Sequence, residues 1–429
     1  MSALQQVIPE GYKQTEIGVI PEDWKVVQLK DIAIDMLQGI NTAIDKPEYV
    51  DSGIPILKAN NVIDQTVLLD NADQISFSSY GKYNNRYKIN QNDFLFSNIG
   101  ARLGTGSLWE FNVPATFAWN VMRIIPEQKK VFPKFLAQLI NSPKQSEKIQ
   151  SEQSGSGMGF IPKNTMKNVF LPLPKLEEQT VIANALSDVD ALLSELEKLI
   201  AKKQAMKTAT MQQLLTGKNR LPQFAFYSDI NSIEGAVDGK RKGTKPSELG
   251  EIPDDWEVKK FGQVMHIRHG KDQKSIQVSG GLYPIFGTGG QMGSTNTPLY
   301  DKPSVLIGRK GTINKPRFTD YPFWTVDTLF YSEVANTESV KFIYYKFCMI
   351  DWMQYNEASG VPSLNASTIE NVLASFPDIK EQTAIVTILS DIDNEIQAFE
   401  QRLSKTRQIK QGMMQELLTG KTRLPLNTN

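Results

Sequence analysis

The sequence predicts an α+β protein built as an internal repeat, with two globular domains and two long amphipathic helices. Residues 168–222 return in similar form at 371–425, and residues 15–26 return at 247–258. Each half therefore begins and ends alike. Between these repeated segments the two halves differ in both sequence and length. A frame that is kept while its contents vary indicates one scaffold carrying two different binding domains.

Two long helices are predicted, at about 176–215 and 379–418, because apolar residues recur there every three or four positions. At 1.5 Å per residue each helix would be roughly 60 Å long. Gly217 and Gly420 follow the last apolar positions, and glycine is common just beyond helix ends. The two stripes can cover each other, and antiparallel packing is one arrangement the sequence allows. The stripes are Ile182, Ala185, Val189, Leu192, Leu196 and Leu199 in the first helix, and Ile385, Leu389, Ile392, Ile396, Phe399, Leu403, Ile409 and Met413 in the second.

The segments between the repeats are predicted to form short strands. They contain brief apolar, β-branched or aromatic runs bounded by Gly, Asn, Asp and Pro, as at 92–99 and 323–334. Helical pieces are expected near 133–142 and 339–350, which makes each half an α+β globule followed by a long helix. The expected boundaries are 1–170 for the first globular domain, 171–218 for the first helix, 219–246 for a linker, 247–373 for the second globular domain, and 374–429 for the second helix and tail.

Composition narrows the class of protein. Lys plus Arg equals Asp plus Glu at 47 each, so total charge gives no argument for nucleic acid and local charge has to decide. Cys348 is the only cysteine, which excludes an intramolecular disulfide and a cysteine-based zinc cluster, and suits a reducing compartment. No apolar run approaches the roughly 18 residues of a membrane span, so a cytoplasmic protein is expected.

None of the candidate catalytic motifs has the residue spacing that its chemistry requires. Gly420–Thr422 resembles the end of a phosphate-binding loop, but Gln415 stands where that loop needs glycine, so a helix end is favoured. Glu257–Lys259 is too compact for the metal site of a nuclease. His266 and His269 have no third metal ligand nearby. The Pro-Pro-aromatic motifs of amino-methyltransferases are missing too, so the chain is expected to be non-catalytic and to bind no metal.

Glycine-rich basic loops are the candidate sites for nucleic acid. From Lys302 to Arg317 the sequence holds five basic residues and no acidic one, and its glycines allow close approach of the backbone. The comparable stretch of the first half lies between 97 and 109. An ordinary solvated loop remains the alternative for any single residue. The DNA-binding candidates are Lys58, Asn60, Asn61, Asn98, Arg102, Thr105, Lys163, Arg309, Lys310, Thr312, Lys315 and Arg317.

Acidic residues gather in the early part of each long helix. A solvent-exposed helix face and a face that docks a partner protein both remain open as interpretations. The candidates for partner binding are Glu178, Asp188, Asp190, Glu381, Asp391 and Asp393.

The repeated motifs of this sequence resemble those of a known family, the specificity subunits of type I restriction-modification systems. It rests on the paired motifs IPEDW and IPDDW, the two LLTGK helix ends, the paired helix segments, and GRKGTI in the second half. YPIFGTGG at 283–290 also resembles the entry of one class of that family's target recognition domain. The resemblance covers nearly the whole chain, and its repeated frame is more specific than its variable segments.

The resemblance implies a non-catalytic DNA-binding subunit in which 1–170 and 247–373 are target recognition domains. Each would read one half of a bipartite, asymmetric DNA target. The long helices would pack as an antiparallel coiled coil with pseudo-two-fold repetition, set the spacing of the half-sites and dock two methyltransferase subunits. Adenine methylation and, with restriction subunits, cleavage would follow.

The same resemblance places S-adenosylmethionine, ATP and magnesium on the partner subunits, so no cofactor is expected on this chain. Double-stranded DNA is the expected ligand and no membrane partner is expected. The alternative is a coiled-coil scaffold that binds proteins without sequence-specific DNA binding. It accounts for the long helices, but not for two dissimilar domains rich in Gly, Asn, Arg and Lys.

Overall fold

The computed structural model describes residues 8–63, 66–100, 102–153, 159–227 and 240–426. The chain divides into two compact units. Unit 1 comprises Met1–Glu197 and Arg402–Asn429, and unit 2 comprises Lys198–Gln401. The predicted boundaries kept each helix whole, whereas this division cuts both long helices. Of the predicted linker at 219–246, residues 228–239 lie outside the described residues.

Unit 1 contains two four-stranded sheets, with short helices around them. Its strands are Tyr12–Thr15 (β1), Gly18–Pro21 (β2), Lys25–Gln28 (β3), Ala33–Gln38 (β4), Tyr49–Val50 (β5), Ile54–Leu57 (β6), Val62–Ile63 (β7), Thr66–Val67 (β8), Asp73–Ile75 (β9), Phe94–Ser97 (β10), Gly106–Leu108 (β11), Thr116–Phe117 (β12), Val121–Pro126 (β13) and Phe170–Leu173 (β14). Its helices are Thr42–Asp45 (α1), Phe77–Lys82 (α2), Pro133–Ile140 (α3), Pro143–Ser151 (α4), Lys163–Lys167 (α5), the first part of Leu176–Leu214 (α6) and the last part of Ile379–Leu417 (α10), with 3-10 turns at Leu29–Asp31 and Asn85–Tyr87.

Unit 2 contains two four-stranded sheets of its own. Its strands are Thr244–Ser247 (β15), Gly250–Pro253 (β16), Glu257–Lys260 (β17), Met265–His269 (β18), Gln277–Val278 (β19), Tyr283–Gly287 (β20), Gly290–Thr295 (β21), Ser304–Gly308 (β22), Arg317–Thr319 (β23), Trp324–Thr325 (β24), Leu329–Val334 (β25) and Leu373–Phe376 (β26). Its helices are the last part of α6, Pro222–Ala225 (α7), Val340–Met349 (α8), Ala366–Asn371 (α9) and the first part of α10, with 3-10 turns at Phe261–Gln263 and Trp352–Tyr355.

The two units share one topology although their central sequences differ. The first sheet has the order β11-β10-β13-β4 in unit 1 and β23-β22-β25-β18 in unit 2. The second has the order β12-β6-β9-β5 and β24-β20-β21-β19, and in each unit its first pair is parallel. Strands β10 and β22 are buried along their whole length, so each needs apolar or small residues rather than one particular sequence. Dissimilar sequences therefore build the same frame.

The long helices α6 and α10 end within a residue of their predicted positions, which confirms the heptad argument. Gly217 and Gly420 have φ values of 71° and 73°, the left-handed conformation that follows a helix end. The buried seam is narrower than the predicted stripe. Leu192 and Ile409 belong to the predicted apolar stripes, but their side chains are 39% and 49% exposed. A straight α-helix drifts by about 20° per heptad relative to a strict seven-residue repeat, so some stripe positions turn away from the partner helix.

The helices run antiparallel within each unit, as predicted. In unit 1, Asp190 pairs with Lys410 and Glu197 pairs with Arg407, both at 2.6 Å. In unit 2, α6 and α10 are joined in the same sense by the ion pairs Lys203–Glu395 and Lys207–Asp393. Residue numbers rise along one helix as they fall along the other. None of the helices within the described ranges is both long and apolar enough to span a bilayer.

Candidate nucleic-acid interface

In unit 2, the loops that follow β18, β20 and β22 meet the turn between β24 and β25 at one edge of the sheets. Backbone hydrogen bonds hold them together, so their relative positions are fixed. These bonds are Lys271 N to Thr325 O at 2.8 Å, Val326 N to Phe286 O at 3.0 Å, Arg309 N to Thr328 O at 2.8 Å, Gly311 N to Pro362 O at 2.8 Å and Leu364 N to Arg309 O at 2.9 Å.

Unit 1 repeats this arrangement with different side chains. Its corresponding bonds are Ile40 N to Phe117 O at 3.0 Å, Ala118 N to Leu57 O at 2.8 Å and Ile161 N to Asn98 O at 3.0 Å. By this pattern Asn98 stands in unit 1 where Arg309 stands in unit 2. Gly100 and Gly311 then correspond as well, with φ values of 99° and 95°. The two edges are therefore one backbone frame that carries two sets of side chains.

The basic loop of unit 2 lies next to the glycine-rich segment at 287–290. Arg317 donates from Nη2 to the carbonyl of Thr288 at 3.4 Å, and Arg309 donates from Nη1 to the carbonyl of Asp327 at 3.2 Å. Both acceptor residues line one shallow hollow together with Gln273. The segments at 287–290 and 308–312, far apart in sequence, thus come together as one surface.

The basic side chains of this surface are accessible to a ligand. Lys310 and Lys315 are exposed, and Arg309, Thr312 and Arg317 are half-buried. Within the described part of the chain, no carboxylate forms an ion pair with any of these four basic side chains. Unpaired cations beside glycines, which have no side chain to block close approach of a ligand to the backbone, suit contacts with phosphates, and arginine also suits guanine edges.

In unit 1, Lys58 and Asn61 have structural partners. The amine of Lys58 pairs with Asp73 and lies 5.2 Å from the centre of the Tyr49 ring. Partial burial alone lowers the pKa of Lys58, but the hydrogen bond to Asp73 and the nearby Tyr49 outweigh this effect and raise it. Asn61 is buried, accepting from the Lys58 amide at 2.8 Å and donating to the carbonyl of Leu68 at 3.2 Å.

The other unit 1 candidates divide between the interior and the surface. Asn98 is fully buried, and its amide pairs with that of Gln38 at 3.1 and 3.2 Å. The Thr105 hydroxyl donates to the carbonyl of Arg102 at 2.9 Å. Arg102 itself is exposed, as is Asn60, while Lys163 is half-buried at the start of α5. Base contact at any of these positions stays a prediction.

Sequence reasoning missed two residues of this edge, Trp119 in unit 1 and Asp327 in unit 2. Trp119 is 48% exposed, whereas Trp24, Trp109, Trp256 and Trp352 are buried. Asp327 is exposed between Val326 and Thr328, beside the basic loop. The signal available was a large or charged residue in a short turn between two apolar strands. Without the strand pairing, nothing in the sequence placed either turn at this edge.

Two of the acidic candidates for partner binding lie inside anchor clusters, one in each unit. The unit 1 anchor cluster consists of Asp23, Trp24, Glu178 and Arg423. Glu178 is buried and accepts from the indole of Trp24 at 3.1 Å and from Arg423 at 2.8 Å. Arg423 also donates to Asp23 at 2.9 Å, and this hydrogen bond lowers the pKa of the Asp23 carboxyl.

The unit 2 anchor cluster consists of Asp255, Trp256, Glu381 and Arg220. Buried Glu381 accepts from Trp256 at 3.1 Å and from Arg220 at 2.9 Å. Burial alone raises the pKa of Asp255, but hydrogen bonds from Arg220 and Lys242 outweigh it and lower that pKa. In both clusters the arginine follows a long helix of one repeat, while the tryptophan belongs to the other. The segment that follows the long helix of each repeat therefore packs against the tryptophan motif of the other repeat.

The remaining acidic candidates lie on the helix surfaces. Asp190 accepts from Gln138 at 2.8 Å in addition to pairing with Lys410. Asp393 accepts from the Tyr345 hydroxyl at 2.7 Å in the corresponding place. Asp188 and Asp391 are exposed. Partner docking at all six acidic residues stays a prediction, and the two exposed ones are the most accessible.

The two histidines lie on β18 of unit 2. The ring of His269 packs edge-on against Phe330, with centroids 4.9 Å apart. Across the described residues, no group of three or more His, Cys, Asp or Glu side chains is arranged to hold a metal ion.

Comparison with known proteins points in one direction. Residues 21–207 and 253–408 match the family described as the type I restriction modification DNA specificity domain. The putative MjaX specificity subunit of Methanocaldococcus jannaschii is 26% identical over 446 residues, covering 98% of this chain and 99% of that protein. The MjaVIII specificity subunit of the same organism is 25% identical over 464 residues, covering 97% and 96%.

Solved structures agree at the level of the fold. The S subunit of a type I restriction-modification system from M. genitalium aligns with a TM-score of 0.61 at 16% identity, covering 92% of this chain and 96% of that one. A chain from a study of assembly and conformational transition in a type I R-M system aligns with a TM-score of 0.53 at 15% identity, covering 94% and 99%.

Proposed function

This chain belongs to the family of type I restriction-modification DNA specificity subunits, and we propose that its two units each read one half of a split, asymmetric DNA target. The observation that carries the proposal is the pair of matched loop edges. The same backbone frame presents the partly exposed Ile99 in unit 1 and the exposed Lys310 in unit 2, which form equivalent bridges to Phe160 and Ser363. One frame with different chemistry at equivalent positions suits the recognition of two different base sequences.

Catalysis is assigned to partner subunits. The complex would contain two methyltransferase subunits that methylate adenine, joined by restriction subunits for cleavage. S-adenosylmethionine, ATP and magnesium would be held by those partners. We place the docking face on α6 and α10, with Asp188 and Asp391 as its exposed acidic residues. The assembled complex would work in the cytoplasm, which the single cysteine suits.

The test is methylation mapping. The chain is co-expressed with its methyltransferase partner, and methylated adenines are mapped across a genome. A motif with two defined parts and an undefined spacer is the expected result. Complete protein assembly without any sequence-defined methylation or DNA protection would favour the scaffold alternative.

Single substitutions then assign a half-site to unit 2. Arg309→Ala and Lys310→Ala should weaken binding to the second half-site, by about 1 to 3 kcal/mol if a bidentate base contact is lost. Lys341→Ala, on α8 and outside the loop edge, is the matched control. Binding of each variant complex to the mapped target provides the measurement. Unchanged affinity in both loop variants would reject the assignment.

A further inference from the structure

One position occupies the same place in both units and carries opposite chemistry. We call it the tip position; it is Trp119 in unit 1 and Asp327 in unit 2. The residue before each tip donates its amide across the parallel strand pair, Ala118 to Leu57 at 2.8 Å and Val326 to Phe286 at 3.0 Å. Two residues beyond each tip, Val121 and Leu329 donate back to Ala118 and Val326 at 2.9 and 3.0 Å.

The backbone at the tip position is held by close packing from an adjacent strand end. A Cβ atom on Gly39 would lie 2.2 Å from the carbonyl oxygen of Ala118, and one on Gly270 would lie 2.0 Å from that of Val326. No side chain fits in either place. The tip side chains therefore project from a turn with a fixed backbone, and such rigidity favours specific recognition.

The chemistry of Asp327 is unusual for its surroundings. Its carboxylate is exposed, and within the described part of the chain it makes no hydrogen bond or ion pair. The backbone carbonyl of Asp327 accepts a hydrogen bond from the side chain of Arg309, and the next residue after Arg309 is the cationic Lys310. A free carboxylate on a basic DNA-facing loop repels phosphates unless a hydrogen-bond donor of the DNA meets it. In the major groove the donors are the exocyclic amines of cytosine and adenine.

We propose that Asp327 is a specificity-determining residue that accepts a hydrogen bond from a base amine, cytosine N4 or adenine N6, in the second half-site. This inference rests on the proposed function. Trp119 fills the same position in the first unit with a large apolar surface and an indole N–H that has no partner among the described residues. An apolar tip suits contact with a thymine methyl group and cannot accept from an amine.

The experiment maps the methylated motif of complexes that contain Asp327→Ala, Asp327→Asn or Trp119→Ala. Asp327→Ala should make one base pair of the second half-site degenerate and leave the first half-site unchanged. Asp327→Asn gains a donor, so it should also admit a base with an acceptor at that place. Trp119→Ala should affect only the first half-site. Whether the degenerate pair is C·G or A·T identifies the amine.

The control is Asp301→Asn, an exposed aspartate that precedes β22, whereas Arg309 follows that strand. It should leave the motif intact. Continued recognition of the other second-half bases shows that a variant has folded. An unchanged methylated motif in both Asp327 variants overturns the inference. Tighter binding of Asp327→Ala complexes to target and unrelated DNA alike also overturns it, because the carboxylate would then only repel phosphates. A wild-type complex with no split motif would instead overturn the proposed function itself.

Discussion

Lys346, a buried lysine of unit 2, has no acidic partner among the described residues. Its amine donates to the carbonyl of Leu215 at 2.6 Å and to the hydroxyl of Ser375 at 3.0 Å, and it faces the ring of Trp256 at 5.5 Å. Leu215 lies just past the last turn of α6, where carbonyls lack helical partners. Lys346 therefore caps the helix, and burial lowers the pKa of its amine to about 7.

Replacing Lys346 by methionine should change how the stability of unit 2 depends on pH. The amine has a pKa of about 7 in the folded chain against 10.5 when unperturbed. Between these values the unfolded chain binds more protons, so the free energy of unfolding rises with pH over this range, and the gain is lost progressively as pH falls from 10.5 to about 7. In Lys346→Met this rise should be missing. Thermal melting at several pH values measures it, with Lys341→Met as control. Parallel pH curves for wild type and Lys346→Met would contradict the prediction.

Residue chemistry was only partly predictable from sequence. The basic loop of unit 2 was found because its charge is local in the chain. Asn61 and Asn98 are candidate DNA contacts from the sequence, yet both are buried and hold loops together. Burial of a polar residue depends on distant partners such as Gln38, which no local pattern reveals. The tip position was invisible for the same reason.

The two anchor clusters tie the ends of the long helices to the start of each globular part, and they differ in exposure. The side chain of Arg220 is 8% exposed, whereas that of Arg423 is 38% exposed. Breaking a buried ion pair leaves an uncompensated charge and costs about 3 to 5 kcal/mol, while an exposed pair is worth far less. The two arginines occupy equivalent positions and therefore form a natural comparison.

Arg220→Gln is expected to destabilise unit 2 by about 3 to 5 kcal/mol. Arg423→Gln should destabilise unit 1 by a smaller amount, because water reaches the side chains of Arg423 and Asp23, although Glu178 is as buried as its counterpart Glu381. Hydrogen exchange, resolved by peptide, measures the opening of each unit separately. Lys203→Gln, which breaks a more exposed pair with Glu395, should change protection by less than about 1 kcal/mol. Equal losses in both arginine variants would show that burial does not control these clusters.

Helices were easier to predict than sheets. The apolar period fixed α6 and α10 to within a residue, because a helix is defined by its own sequence. Strands such as β10 and β22 were located by their apolar runs, but their order and the parallel pairing of β12 with β6 depend on contacts between distant segments. The identity of the two topologies was likewise hidden, since equivalent strands share burial rather than sequence.

For the whole molecule, we predict that the length of the paired helices sets the spacer between half-sites. One heptad inserted after Glu197 and another after Gln401 would fall at the limits of the two units and leave each intact. Seven residues add about 10 Å, and DNA rises about 3.4 Å per base pair, so the spacer should grow by about three base pairs. Methylation mapping measures it. Altered half-sites with a constant spacer would refute the prediction.

Unit 1 is assembled from two stretches of chain that are separated in sequence by the whole of unit 2. Its core joins Trp24 to Met414, Leu417 and Leu418, and the hydroxyl of Tyr12 donates to the carbonyl of Gly420 at 2.9 Å. Unit 2 is one continuous stretch of chain. On the ribosome, unit 1 must therefore wait for the segment that follows Gln401 before its core can close, whereas all of unit 2 has been made by then. A chain released before that segment is made would leave the core of unit 1 open where Met414, Leu417 and Leu418 otherwise close it, with its apolar side chains in contact with water.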